Sequence, residues 1–226
     1  MHQGMASRGR ILDAPCGAGR LTQLLQRNGF DATGVDMSPD ASPLLGEAFR
    51  LADLTDRLPF ADESFDCVVS TEGIEHLENP LLFLREVRRV LRPGALLLLT
   101  TPNTVSVRSR VRFFGSGFFH QDPRPLCEAR RDPMHHIALQ TLSELRYGLA
   151  TSGFSIRSVG HTHIKPVSLL YSVFVPWIAV YTAVAFRKEK DPAQRRANRD
   201  ILRALLSPSA LFGENLLIIA TRDAAG

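Results

Sequence analysis

The sequence predicts a doubly wound α/β fold, a parallel sheet covered by helices. Three observations point to it. Short apolar runs alternate with helical patterns through residues 1–103. Gly or Pro marks most of the exchanges between them. The run Ala95-Leu96-Leu97-Leu98-Leu99-Thr100 is apolar on both faces, as a central parallel strand must be.

Taken in order, Arg10–Ala14 is a first strand ending in a Gly-containing turn. Leu21, Leu24 and Leu25 have helical spacing, and Asn28-Gly29 supplies a C-cap. Phe30–Asp36, Ala48–Leu51 and Phe65–Ser70 are further strands, and Pro80–Leu91 is an amphipathic helix with Leu81, Leu84, Val87 and Leu91 on one face. Pro93-Gly94 is expected to stop that helix before the strand at Ala95. Beyond it, Thr104–Pro133 reads as a loop or short-helix insertion, Thr141–Thr151 as a helix, Phe154–Ile164 as a strand and Asn215–Thr221 as the last strand.

The chain has 226 residues, 44% hydrophobic and 22% charged, which fits one domain, 1–226, with insertions at about 104–134 and 166–212. Such composition excludes disorder, collagen and coiled coil as global descriptions. Three cysteines without a C-x-x-C pair argue against a disulfide framework and for a reducing, cytoplasmic setting. The start has no apolar core and does not read as a secretory signal. The net charge of +4 is unevenly spread. Residues 1–103 hold 10 Lys and Arg against 14 Asp and Glu, and the remainder 17 against 9.

The sharpest motif is Asp13-Ala14-Pro15-Cys16-Gly17-Ala18-Gly19-Arg20, at the junction of the first strand and first helix. Glycines there let a ligand approach the backbone. Asp36, at the end of the second strand, can accept bonds from both ribose hydroxyls of a nucleoside. Two cofactor classes compete. A dinucleotide site wants G-x-G-x-x-G, but Thr22 stands where the third Gly belongs. Asp13 would repel a pyrophosphate and attract an ammonium, which favours S-adenosylmethionine. Asp13, Asp36 and Asp53 fall at the ends of three successive strands, the ligand-binding edge of such sheets.

These residues resemble motif I of the class I S-adenosylmethionine-dependent methyltransferases. The resemblance covers most of the chain and implies a Rossmann-like sheet of about seven strands, the last antiparallel, with the apolar and basic helical insertion before it. It also implies that Asp36 binds ribose, that Met37 packs on adenine and that Ala52-Asp53-Leu54 meets the adenine amino group. Leu58–Asp66 resembles the family's linker before strand four, and Leu91–Ala95 its turn into strand five. About eight residues precede the first strand, where such enzymes usually carry a closing helix. Either the 104–133 insertion takes that role or the chain as given starts late.

After strand four comes Thr71-Glu72-Gly73-Ile74-Glu75-His76. If this stretch is helical, Glu72, Glu75 and His76 share one face and can hold a divalent cation such as Mg, with a fourth donor, His136, from Asp132–His136. The pattern resembles the quinone-pathway O-methyltransferases and the small-RNA 2′-O-methyltransferases, in which a metal near the acceptor hydroxyl is implied. Glu75, His76 and His136 are equally candidates for acceptor activation without a metal, and Thr71 and Glu72 for walls of the cofactor pocket. Cys16 and Cys67 read as packing residues.

Residues 166–186 hold no charge and are long enough to cross a bilayer. One crossing would separate two strands that should pair, and Pro176 interrupts the run. A basic stretch, 187–203, follows directly. The pair suits a monotopic helix on the inner face of a membrane, or else a buried cover or dimer-forming helix with a solvated basic face. Arg108, Arg110 and Arg112 beside Phe113, Phe114, Phe118 and Phe119 suit an acceptor-binding lid. A small-molecule or lipid-like acceptor ranks above nucleic acid, because no RNA-binding module accompanies them. A nicotinamide-dependent oxidoreductase and a non-catalytic membrane- or partner-binding module are the rival readings.

Overall fold

In the computed structural model, which describes residues 9–119, 125–129 and 132–224, seven strands form one sheet in the order β3-β2-β1-β4-β5-β7-β6. They are β1 (Arg10–Asp13), β2 (Asp31–Asp36), β3 (Phe49–Leu51), β4 (Phe65–Thr71), β5 (Leu91–Pro102), β6 (Phe154–His161) and β7 (Asn215–Arg222). The first five pair in parallel, and β7 runs antiparallel to both β5 and β6. The carboxyl ends of β1 to β6 therefore open on one edge. The readings that concern Met1–Arg8, and part of the 104–133 insertion, lie outside the described residues.

The first half follows the pattern of its residues. Helix α1 (Arg20–Arg27) ends at Asn28, as expected. A short α2 (Ser42–Leu45) closes the loop after β2. Helix α3 (Pro80–Val90) starts where Asn79 Oδ1 accepts the Leu82 N–H at 3.0 Å, and Pro80 needs no donor there. Its buried face is Phe83, Leu84, Val87 and Val90. Contrary to expectation, Pro93-Gly94 does not separate this helix from the next strand. β5 begins at Leu91, which pairs with Phe65, and the Pro-Gly pair lies opposite a register shift between Phe65 and Cys67.

The second half holds α4 (Val107–Ser116) within the 104–133 insertion, and α5 (Leu142–Thr151), started by a capping box between Thr141 and Glu144. The uncharged run is α6 (Pro166–Leu169), a 3-10 turn over Leu170–Phe174, and α7 (Val175–Phe186). Pro176 sits in the first turn of α7, where it costs no hydrogen bond, so the break falls before it. In this run only Ser168 and Ile178 are buried, so it is not a buried cover. Then come the basic α8 (Pro192–Leu205) and α9 (Pro208–Phe212).

Two buried polar residues fix this arm to the sheet edge. The Asn103 side-chain amide, 1% exposed, donates to the carbonyls of Ser209, Ala210 and Gly213 at 3.3, 3.0 and 2.8 Å. Glu214, also buried, pairs with Lys165 at 2.9 Å and Arg108 at 3.3 Å, tying the arm's entry and α4 to β7. Asn103→Ala would leave buried carbonyls without a donor. It is expected to cost about 2–3 kcal/mol in urea unfolding and to speed amide exchange over Pro208–Phe212.

Candidate functional site

The parallel strands end beside a cavity of about 620 Å³, a volume suited to a small-molecule cofactor. Asp36 organises its mouth. Its Oδ2 accepts the Gly17 N–H at 2.8 Å and its Oδ1 accepts the Ser38 N–H at 2.9 Å. One carboxylate thus joins the loop after β1 to the loop after β2. Gly17 (φ 51) has nothing within 4 Å of where a Cβ would stand, so its backbone is open to a ligand. Gly19 does a different job from the one expected of it. Its φ is 76, and a Cβ there would meet Leu45 at 2.8 Å, so its small size serves packing against α2.

Of the other expected cofactor residues, Asp13, Pro15 and Cys16 line the cavity from the first loop, and Met37, Asp53 and Leu54 from beyond β2 and β3. Thr71 and Glu72 close it from the end of β4. Ala14 and Arg20 do not line it: Ala14 is buried and Arg20 is exposed on α1. Sequence reasoning missed Asp40, Leu21 and Leu77 in the wall, and also Pro133 and Met134 from the insertion. Their signal was weak because no pattern ties residues 133–134 to a cavity whose other walls lie between Asp13 and Leu77.

The electrostatics are one-sided. Asp13, Asp36, Asp40, Asp53 and Glu72 line the cavity, and no Lys or Arg does among the described residues. Asp13 is 1% exposed, and its Oδ2 accepts the Thr22 hydroxyl at 2.6 Å. Burial outweighs that bond and pushes its carboxyl up to about 6. Burial likewise raises Glu72, whose Oε1 has no hydrogen-bond partner among the described residues. The Cys16 thiol, packed against Gly34, is pushed up to about 12 by burial and is inert as a nucleophile. Cys67 is pushed up to about 11 for the same reason.

At one wall of the cavity stand two imidazoles and a buried carboxyl, of which His76 lines the cavity itself. The expected helix is a single 3-10 turn, Ile74–His76, and Glu72 has a left-handed φ of 49. Glu72, Glu75 and His76 therefore do not share a face. Glu72 turns into the cavity, while Glu75 lies fully buried beneath it. Glu75, His76 and His136 do come together, each offering an atom within 4.8 Å of the others, and Glu72 is not among them. Glu75 Oε2 accepts the Thr101 hydroxyl at 3.1 Å, and Oε1 has no hydrogen-bond partner among the described residues. Burial pushes this carboxyl up to about 7. His76 lines the cavity, and its Nδ1 lies 3.1 Å from the His135 carbonyl, which can only accept, so Nδ1 carries a proton and Nε2 does not need one. The His76 and His136 rings are 4.8 Å apart and tilted by 58°.

Residues 12–99 match the family model described as a methyltransferase domain. Over 102 residues the chain is 34% identical to the ubiquinone biosynthesis O-methyltransferase of Cereibacter sphaeroides, covering 42% of this chain and 41% of that protein. The chain thus spans about two fifths of the length of such relatives. A longer match, 26% identical over 187 residues, is to the enzyme of the same name from Parvibaculum lavamentivorans, covering 79% of this chain and 71% of that one. The fold is also that of an S-adenosylmethionine-dependent methyltransferase from Archaeoglobus fulgidus, with a TM-score of 0.56, 17% identity and coverage of 94% and 85%.

Asp13 gives the site a pH signature. A carboxyl that ionises at about 6 when folded, against 3.8 ordinarily, holds its proton more tightly in the folded state. Its contribution to stability is complete below pH 3.8 and is lost as pH rises through 6. From this group alone the unliganded protein should lose up to about 3 kcal/mol on that rise, at 1.36 kcal/mol per unit. Glu75 acts in the same direction up to about pH 7. Urea unfolding across this range should show the loss, and Asp13→Asn should flatten it; an unchanged slope in the variant would contradict the assignment.

Proposed function

We propose that this chain, whose residues 12–99 match the methyltransferase domain model, transfers the methyl group of S-adenosylmethionine to a hydroxyl oxygen of a small-molecule or lipid-like acceptor. One observation carries this reading: five carboxyls and no Lys or Arg line the cavity among the described residues. The sulfonium and ammonium of S-adenosylmethionine are cations that such a wall attracts. A dinucleotide's pyrophosphate would meet Asp13 and Asp36 instead of a basic or neutral cradle, which disfavours the oxidoreductase alternative. Oxygen as the methylated atom follows the O-methyltransferase names of the relatives.

In this reading Asp36 keeps lone pairs for the ribose hydroxyls while its two backbone bonds hold it still. Asp13 and Glu72 face the ammonium end. Met37 and Leu54 flank the adenine, and Asp53 accepts from its amino group. The acceptor oxygen attacks the methyl carbon in line. A C–O bond forms as the S–C bond breaks, the electron pair stays on sulfur, and S-adenosylhomocysteine leaves. The acceptor's proton passes to His76 Nε2, the imidazole atom left as an acceptor by the Nδ1 contact with the His135 carbonyl. The free thiols of Cys16, Cys67 and Cys127 suit a cytoplasmic setting.

A second reading of the trio has its own support in the buried Oε1 of Glu75, which has no partner among the described residues. Glu75, His76 and His136 fit a divalent cation, which when bound would lower the acceptor hydroxyl's pKa. With Glu72 turned away, the set has two nitrogens and one carboxylate. That suits zinc or another transition metal better than the Mg suggested by two carboxylates.

Transfer of labelled methyl from S-adenosylmethionine to phenolic and lipid-extract acceptors tests the function. Asp36→Ala is expected to weaken S-adenosylhomocysteine binding at least about thirtyfold, since charge-assisted bonds are lost. His76→Ala is expected to lower kcat by about a hundredfold or more while leaving that binding in place. A chelator that abolishes transfer, with zinc restoring it, would assign the trio to a metal; no effect would assign it to His76 as base. Absence of both cofactor binding and transfer would overturn the reading.

A further inference from the structure

We infer that the arm formed by residues 166–205 lies in the plane of an anionic phospholipid bilayer. The first support is exposure. Residues 166–186 pass as apolar enough for a membrane, yet only 6% of that window is buried in the protein. Leu170 is 76% exposed, Val173 72% and Trp177 66%. A soluble protein rarely leaves so continuous an apolar surface to water. Nor does α7 have a polar side to turn outward, for its twelve residues, VPWIAVYTAVAF, hold a single hydroxyl-bearing pair, Tyr181 and Thr182, and no charge.

The second support is topology, which decides between spanning and lying flat. The chain leaves the sheet at His161 and returns at Asn215, and in the antiparallel β6–β7 pair His161 stands opposite Leu216. The arm must therefore start and finish on one side of any membrane. A hairpin of two crossings would need α8 to pass through lipid, and α8 carries Arg195, Arg196, Arg199, Asp200 and Arg203. An in-plane position satisfies both facts.

The third is charge. A groove of about 550 Å³ between α7 and α8 has Phe186 and Leu202 on its apolar walls and Arg187, Arg195, Arg196 and Arg199 around it. Apolar walls beneath guanidinium groups match a lipid with an anionic head and an acyl chain. The same arginines argue against a second copy of this chain as the occupant, because a two-fold interface there would bring like charges together. The arm also leaves from the carboxyl edge of the sheet, the edge on which the cavity opens. The bilayer would thus face the side from which a lipid-like acceptor arrives, although the membrane contact itself does not depend on methyl transfer.

The chain carries its own probe, since Trp177 is its only tryptophan. The full-length protein is titrated with vesicles of phosphatidylcholine alone or mixed with phosphatidylglycerol. The expected result is a blue shift of Trp177 emission, quenching by acyl-chain-brominated lipid and flotation with the mixed vesicles, weakening as salt rises. The combined substitution Arg195→Glu, Arg196→Glu and Arg199→Glu should weaken binding about a hundredfold or more, with far-UV circular dichroism and S-adenosylhomocysteine binding unchanged. Val173→Glu, at an exposed site, should weaken it as well. Three results would overturn the inference: no shift and no flotation with either vesicle, equal binding to neutral vesicles, or a blue shift that tracks protein concentration without lipid and so reports self-association.

Discussion

The geometry of the site depends on one carboxylate. Asp36 accepts the Gly17 and Ser38 backbone N–H groups and so locks two loops that belong to different strands. Without it, the glycine loop after β1 and the turn after β2 would lose the one side-chain group that bonds to both, Gly17 and Ser38. The backbone supports this arrangement at each side. The Cys16 N–H reaches the Val35 carbonyl at 3.0 Å, and the Ala52 N–H reaches the Asp36 carbonyl at 3.0 Å, so the loops continue the sheet's own hydrogen bonding beyond the strand ends.

Around this anchor the protein concentrates negative charge where it is expensive. Asp13 and Glu75 are nearly or fully withdrawn from water, and both hold protons far above the ordinary carboxyl range. Buried acids of this kind are costly unless something uses them. A cation next to Asp13 and Glu72 would repay part of that cost on binding. The trio of Glu75, His76 and His136 gathers beside the same cavity, which His76 lines together with Glu72. In the proposed function the division is between carboxyls that face the cofactor and imidazoles that face the acceptor.

Much of this was legible in the sequence, for physical reasons that can be named. The strands and helices of residues 10–102 declare themselves through apolar runs, caps and glycines, and the three aspartates mark strand ends because each follows an apolar run directly. What misled was local conformation. Glu72 at a left-handed φ and a single 3-10 turn undo the helical spacing that put Glu72, Glu75 and His76 on one face. Gly19 looked like a ligand contact but is small because of Leu45, a contact between elements that no local pattern encodes. Pro93-Gly94 read as a stop, yet the backbone enters β5 before it, since Leu91 has a partner in Phe65. The exposure of 166–186 was likewise invisible, because an apolar run reads the same buried or bare.

The uneven charge of the chain now has a structural meaning. The acidic half builds the cavity edge, and the basic surplus of the other half gathers partly on the arm that leaves the same edge. The first of these assignments rests on the claim that the carboxyl-lined cavity is made for a cationic nucleoside. Calorimetric titration of the purified chain with S-adenosylhomocysteine and, separately, with NADH tests it most directly. The account predicts saturable binding of S-adenosylhomocysteine and none of NADH; tight binding of NADH with no response to S-adenosylhomocysteine would contradict it.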